Sequence, residues 1–148
     1  MFSTHRSVLT KELLHYLALD RTGALVVIDT TVGPGGHAVQ VAERLSPESW
    51  LVALDRDPEA VAKARQRLAD ARPRVTAHRA RFSQLRQTAR ELEIGAADAI
   101  YSDIGFNSEQ MNDPERGFNF ESEFPPDMRY EPDSGQPSAF EVLMESSE

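Results

Sequence analysis

Leu25-Val26-Val27-Ile28-Asp29-Thr30-Thr31-Val32-Gly33-Pro34-Gly35-Gly36-His37 is the stretch on which the reading of the chain turns. Leu25 to Ile28 are continuously apolar and rich in β-branched residues, as a strand buried on both faces of a sheet should be. Gly33 to Gly36 then form a turn, and Ala38, Val39, Val41, Ala42 and Leu45 recur at helical spacing. Glycines here permit a tight strand-to-helix turn and let a ligand approach the backbone closely. A helix opening behind them offers unpaired N–H groups that welcome an anionic group. A plain strand-to-helix turn would use the same residues, so the turn alone fixes the local fold and not the ligand.

The same alternation extends outward in both directions. Upstream, Val8, Leu9, Leu13, Leu14 and Leu17 recur at the spacing of a short amphipathic helix. Downstream, Trp50 to Leu54 predicts a second buried strand ending at Asp55. Asp57-Pro58 opens a helix, with Asp57 as its cap and Pro58 at the first helical position. Ala60, Val61, Ala64 and Leu68 line that helix. Arg74 to His78 predicts a weaker strand near a sheet edge, Ser83 to Leu92 a helix, and Asp98 to Ser102 a fourth strand. Strands alternating with helices imply parallel pairing, and so a doubly wound, Rossmann-like α/β fold. Only four strands are visible, and the last should be an exposed edge unless something covers it.

After Asp103 the chain changes character. It becomes acidic and rich in Pro, Gly, Asn and Ser, with no strand pattern and one helical segment, Phe140 to Met144. The expected organisation is therefore a ligand-binding half, residues 1–103, and an acidic loop-rich segment, residues 104–148. The net charge of −8 divides accordingly. Residues 1–98 carry 14 Lys/Arg against 12 Asp/Glu, whereas residues 99–148 carry 2 against 12. A phosphate-gripping protein usually shows a basic footprint. Arg72, Arg74, Arg79, Arg81, Arg86 and Arg90 offer one, and a solvated helix-and-loop face accounts for them equally well. The chain has no cysteine, which excludes disulfides and thiolate metal sites. It shows neither a signal-peptide pattern nor an apolar run of the roughly 20 residues that span a bilayer. The cytoplasm is the expected compartment, with no membrane association.

Asp55 stands 22 residues after Gly33. An acidic residue about 20 positions beyond such glycines can accept hydrogen bonds from ribose hydroxyls, of a nicotinamide cofactor or of S-adenosylmethionine. Two details favour the methyl donor. Counted from Gly33, the sixth position is Ala38, so the third glycine of a pyrophosphate-binding turn is missing. Asp29, just before the turn, suits a positively charged donor better than a pyrophosphate. The alternative for Asp55 is a solvated strand terminus.

Asp103 ends the fourth strand within Ser102-Asp103-Ile104-Gly105-Phe106. Ligands of doubly wound sheets sit at the carboxyl ends of the strands, where Asp29, Asp55 and Asp103 should converge. Methylation of an exocyclic amine such as that of cytosine requires localising a nitrogen lone pair delocalised into the ring. An acceptor aligned with the amine hydrogens and an aromatic face for the base would do this. Asp103 or a nearby backbone carbonyl is the candidate acceptor and Phe106 the candidate stacking face, so Asp103 and Phe106 are the catalytic candidates. A base within structured RNA would have to be unstacked to reach them. The alternatives are a loop carboxylate and a core phenylalanine.

Several blocks in order resemble the bacterial small-subunit rRNA (cytosine-N4) methyltransferases, the RsmH/MraW family. They are His5 with Val8-Leu9 and Glu12, then Gly33-Pro34-Gly35-Gly36-His37, then Leu54-Asp55-Arg56-Asp57-Pro58, and then Phe82-Ser83. Asp103-Ile104-Gly105 with Ser108 and Gln110, Asp113 to Phe120, and Pro126-Asp127-Met128-Arg129 follow. Glu115-Arg116-Gly117-Phe118 with Asp127-Met128-Arg129 is the most specific combination. The resemblance implies a class I methyltransferase fold with S-adenosylmethionine as cofactor and small-subunit rRNA or a ribosomal subunit as partner. It implies donor contacts at Gly35, Gly36, His37, Asp55, Phe82, Asp103 and Gln110, in addition to the turn at Gly33. His37 is otherwise expected at the surface, without a catalytic role. Neither a metal nor a covalent nucleophile is required.

The sequence departs from the family pattern at Ile104-Gly105-Phe106-Asn107-Ser108, at Met111-Asn112, at Phe124-Pro125-Pro126 and at Pro34, which lacks an N–H donor. The family continues with a helical insert and further strands, so the chain reads as an N-terminal portion. Two other classes stay open: a non-catalytic donor-binding or protein-interaction remnant, and half of a dinucleotide oxidoreductase.

Overall fold

The computed structural model describes residues 7–146, so His5 lies outside the described residues. Residues up to Ile104 form one compact unit and those from Gly105 a second.

The first unit is the parallel α/β sheet expected from the sequence. Its strands are β1 (Val26–Asp29), β2 (Trp50–Asp55), β3 (Arg74–Arg79) and β4 (Ala99–Tyr101), in the order β3-β2-β1-β4, every pair parallel. The two central strands are the two with continuous apolar runs. Val27, Leu51, Ala53 and Leu54 are wholly buried, because a central parallel strand is covered on both faces. One face packs Val27, Leu51 and Ala53 against Ala38 and Val41 of α2 (Gly36–Ala42) and Ala64 of α3 (Pro58–Arg67). The other packs Ile28, Val52 and Leu54 against Leu85, Leu92 and Ile94, around α4 (Leu85–Glu91). Helices on both faces make the sheet doubly wound.

Both weaker strands are edges. β4 is three residues long, and Ile100 points half-exposed from it. Asp57 caps α3 as expected, its carboxylate accepting the Glu59 N–H at 2.9 Å. Of the basic run, Arg74 lies with its guanidinium 3.9 Å from the centroid of Trp50. Arg72 and Arg79 donate to the carbonyls of Glu43 and Arg56. All six arginines of the run are exposed.

Two helices differ from the periodicity. The first, α1, spans Thr10–Leu17. It excludes Val8 and Leu9 because Leu9 adopts the left-handed conformation, φ 53°, and both side chains are exposed. The segment from Ser83 begins one residue earlier, as a 3-10 turn at Phe82–Gln84, before α4.

The second unit contains α5 (Ser108–Asn112), a 3-10 turn at Pro114–Arg116 and α6 (Ala139–Glu145), with no strand among the described residues. Its segments are fastened by polar side chains. Arg116, buried, donates to the carbonyls of Arg129 and Tyr130. The Met128 N–H donates to the Arg116 carbonyl at 2.9 Å. Asp127 accepts from the Arg129 guanidinium, which holds its carboxyl below the usual range. Phe118 stacks on Phe106 at 5.6 Å and tilts against Tyr130 at 5.4 Å. The Glu-Arg-Gly-Phe and Asp-Met-Arg blocks are thus two halves of one clasp.

Candidate functional site

Parallel pairing brings the ends of β1, β2 and β4 to one edge of the sheet, with Asp29 opposite Ala53 on one side and Tyr101 on the other. Asp29, Asp55 and Asp103 therefore gather at the edge where ligands of this architecture bind.

Asp55 braces the glycine turn. One carboxylate oxygen accepts the Gly33 N–H at 2.8 Å and the other the Asp57 N–H at 2.9 Å. Val32 adds a backbone bond to the Leu54 carbonyl at 2.7 Å. Burial raises the Asp55 carboxyl above its usual range, and the backbone N–H groups of Asp57, Gly33 and Arg56 oppose that rise. Three N–H donors leave the two oxygens one lone pair for a further donor.

The backbone favours glycine at Gly35, and at Gly36 a side chain would displace the Ser7 hydroxyl. Gly35 has φ 91°, and a Cβ there would lie 3.4 Å from Ala64 Cα. A Cβ on Gly36 would lie 2.2 Å from Ser7 Oγ, so the segment before α1 crosses the turn in contact with it.

The surface alternative for His37 does not hold. Its side chain is 12% exposed. Nε2 lies 2.8 Å from the Val8 carbonyl and Nδ1 lies 3.5 Å from Asp103 Oδ2. A carbonyl oxygen only accepts, so Nε2 carries the hydrogen in that bond. The ring thereby ties the segment before α1 to the end of β4. Asp103 is also held by its backbone, whose N–H donates to Thr31 Oγ1 at 2.7 Å, while its carboxylate stays open to solvent.

Asp29 is the opposite case, a carboxyl 1% exposed. It accepts the Thr31 N–H at 3.0 Å, and no lysine or arginine pairs with it among the described residues. Burial, with smaller contributions from Asp55 and Asp103, pushes its pKa up to about 7. The adjacent Tyr101 phenol is buried as well and completes no well-formed hydrogen bond. It nonetheless lies near enough to favour the ionised form of Asp29, and burial beside that carboxyl raises its own pKa.

Phe82 opens the turn after β3 with its ring half-exposed. Phe106 and Gln110 belong to the second unit. Phe106 is half-exposed with its ring stacked on Phe118. Gln110 is buried, and its side-chain carbonyl accepts the Asn107 N–H at 3.0 Å in a helix cap. Three contributors escaped the sequence reading: Thr31, the Val8 carbonyl and the Tyr101 phenol. A hydroxyl residue and a tyrosine at the ends of neighbouring parallel strands were the available signal for Thr31 and Tyr101. Nothing local marks Val8.

No group of three or more His, Asp or Glu that could hold a metal ion occurs among the described residues. No helix among them is long and apolar enough to cross a membrane.

The model of the MraW methylase family matches residues 2–148. The ribosomal RNA small subunit methyltransferase H of Thioalkalivibrio sulfidiphilus is 43% identical over 136 residues, covering 91% of this chain and 42% of that protein. The protein of the same name from Leptothrix cholodnii is 43% identical over 138 residues, covering 91% and 41%. The one from Geotalea uraniireducens is 41% identical over 144 residues, covering 97% and 45%. This chain therefore spans less than half the length of these relatives. With the family match running through the glycine turn, the aspartate edge and the Arg116–Arg129 clasp alike, the chain belongs to the MraW methylase family.

Proposed function

We propose that the first unit is the donor-binding half of an S-adenosylmethionine-dependent methyltransferase acting on N4 of a cytosine in small-subunit rRNA. The observation that carries this reading is the brace between Asp55 and Gly33, which sets a strand-end carboxylate and a glycine turn 2.8 Å apart. A ribose needs an acceptor beside a turn that its ligand can approach closely, and both are present. The remaining features fit the same ligand. Gly35 and Gly36 leave the turn without side chains, and Phe82 presents an open ring for an adenine. Asp29 supplies buried carboxyl character without a competing cation. Relatives named as rRNA small subunit methyltransferases support the RNA substrate.

Bound S-adenosylmethionine supplies a methyl group on a cationic sulfur. Asp103, exposed and held by Thr31 and His37, is the group assigned to accept the amine hydrogens and take up the proton lost on transfer. Phe106 is assigned to stack the base and Gln110 to contact the donor. Catalysis of this kind rests on positioning. The second unit, carrying most of the negative charge, is assigned to lead into the rest of the enzyme and not to grip phosphate. The cytoplasm, where ribosomal subunits are assembled, is the proposed compartment.

Calorimetric titration of the 148-residue chain with S-adenosylhomocysteine tests the reading. Saturable binding is expected, weakened at least about tenfold in Asp55→Ala, since one charge-assisted hydrogen bond contributes roughly 1.5–3 kcal/mol. Circular dichroism must show both proteins folded. A folded wild-type chain without affinity would defeat the proposal.

A further inference from the structure

The donor and the product of methyl transfer differ by one positive charge. S-adenosylmethionine carries a sulfonium, whereas S-adenosylhomocysteine carries a neutral thioether. The edge assigned to them contains three carboxyls and, against Asp29, no cation. Asp29 lies 1% exposed at the end of β1, four residues before Gly33. Tyr101 reaches it from β4 with a buried, unpartnered hydroxyl. Asp55 at the end of β2 and Asp103 beyond β4 act on it as like charges. His37 touches this group through Asp103 only. Every charged neighbour of Asp29 thus opposes its ionisation, and the polar groups that favour it are the Thr31 N–H and the Tyr101 phenol.

From this arrangement we infer that Asp29 is a charge-sensing residue of the donor site: binding of the cationic donor expels its proton to solvent, and binding of the neutral product does not. The inference rests on the donor reading proposed above. A cation brought to the edge offsets the repulsion from Asp55 and Asp103, so the ionised form of Asp29 becomes the favoured one. Loss of the methyl group removes that cation, and Asp29 recovers a proton as the product leaves. The residue would then favour exchange of product for fresh donor. A carboxyl whose free-state pKa lies at about 7 is poised for this at neutral pH.

The test is calorimetry of the 148-residue chain with each ligand between pH 5.5 and 7.0, in pairs of buffers differing in ionisation enthalpy. Affinity for S-adenosylmethionine should rise about tenfold across this range, by proton linkage to one group. About half a proton should be released per donor bound near pH 7. S-adenosylhomocysteine should show neither effect, and Asp29→Asn should abolish both. His37, Asp55 and Asp103 remain in that variant, so a pH dependence belonging to them would persist there. Tyr101→Phe is a second variant that keeps the carboxyl. Without the phenol, the midpoint of the donor's profile should move to higher pH. Equal pH dependence for both ligands, a donor dependence that survives Asp29→Asn, or an unmoved midpoint in Tyr101→Phe would overturn the inference. Donor binding that is flat with pH overturns it while the donor reading stands. A folded chain that binds neither ligand at any pH defeats both.

Discussion

Asp29→Asn is expected to stabilise the first unit against unfolding by on the order of 2–4 kcal/mol at pH 8, and by little at pH 4. Burial holds the folded carboxyl at about 7, against 3.8 for an unhindered one. Below about pH 4 both folded and unfolded chains carry the proton, and the shift has no effect. Between pH 4 and 7 the unfolded chain ionises while the folded chain stays protonated. Stability therefore falls as pH rises through this window, and above about pH 7 the penalty is complete. Asparagine cannot ionise and so removes the penalty. Its side-chain carbonyl can still accept the Thr31 N–H, and its amide can donate to the orphaned Tyr101 oxygen. Trp50, the single tryptophan, lies in β2 and reports this unit alone in urea denaturation. Equal stabilities at pH 8, or a difference between the proteins that does not change from pH 4 to pH 8, would show that Asp29 is not the titrating group. The penalty also bears on function. A natural residue that destabilises its own fold at neutral pH is retained for another reason, and charge sensing at the donor edge supplies one.

How much of this was legible in the sequence depended on whether the signal was local. The central strands were, since Val26 to Ile28 and Leu51 to Leu54 are apolar on both faces and flanked by turns. So was the weakness of Arg74–His78, whose polar alternation marks a half-buried edge. The nearness of Asp55 to the glycine turn was legible as a spacing, because a strand–helix–strand unit of that length returns its second strand beside the first; the bond from the Gly33 N–H to its carboxylate was not. The covering of His37 was not legible because it comes with Val8 and Asp103, residues 29 and 66 positions away in the chain. Leu9 fitted the helical period, yet its left-handed backbone put it outside α1. Periodicity records which side chains recur, not which peptide units can be helical. Tyr101 read as one more apolar strand residue. Its hydroxyl mattered only once parallel pairing had placed it beside Asp29. Gln110 was read through the family, and its part in capping α5 became visible only with Asn107 in place.

Gly117→Ala should disorder the second unit while leaving the first intact. Gly117 has φ 69°, which costs an L-residue roughly 1–2 kcal/mol. A Cβ there would lie 2.4 Å from Asp127 N, 2.7 Å from Pro126 Cα and 2.9 Å from Pro126 C. All three are backbone atoms, so no side chain can rotate away, and forced overpacking adds about 1–3 kcal/mol or more. Relief by backing residues 126–127 off the glycine breaks the clasp itself. Met128 would leave the Arg116 carbonyl, and Ala139 and Phe140 would lose their bonds to the Asp127 and Pro126 carbonyls. A unit this small has too little apolar surface to absorb such a loss. Hydrogen exchange distinguishes the outcomes. The amides of Met128, Ala139 and Phe140 should lose protection, while those of β1 and β2 keep theirs. Unchanged protection at Met128 would mean that the backbone yields at Gly117 without cost. The expected result would explain why Glu-Arg-Gly-Phe and Asp-Met-Arg accompany each other: the arginine, the glycine and the aspartate build one joint, and the glycine is where the two segments of that joint touch.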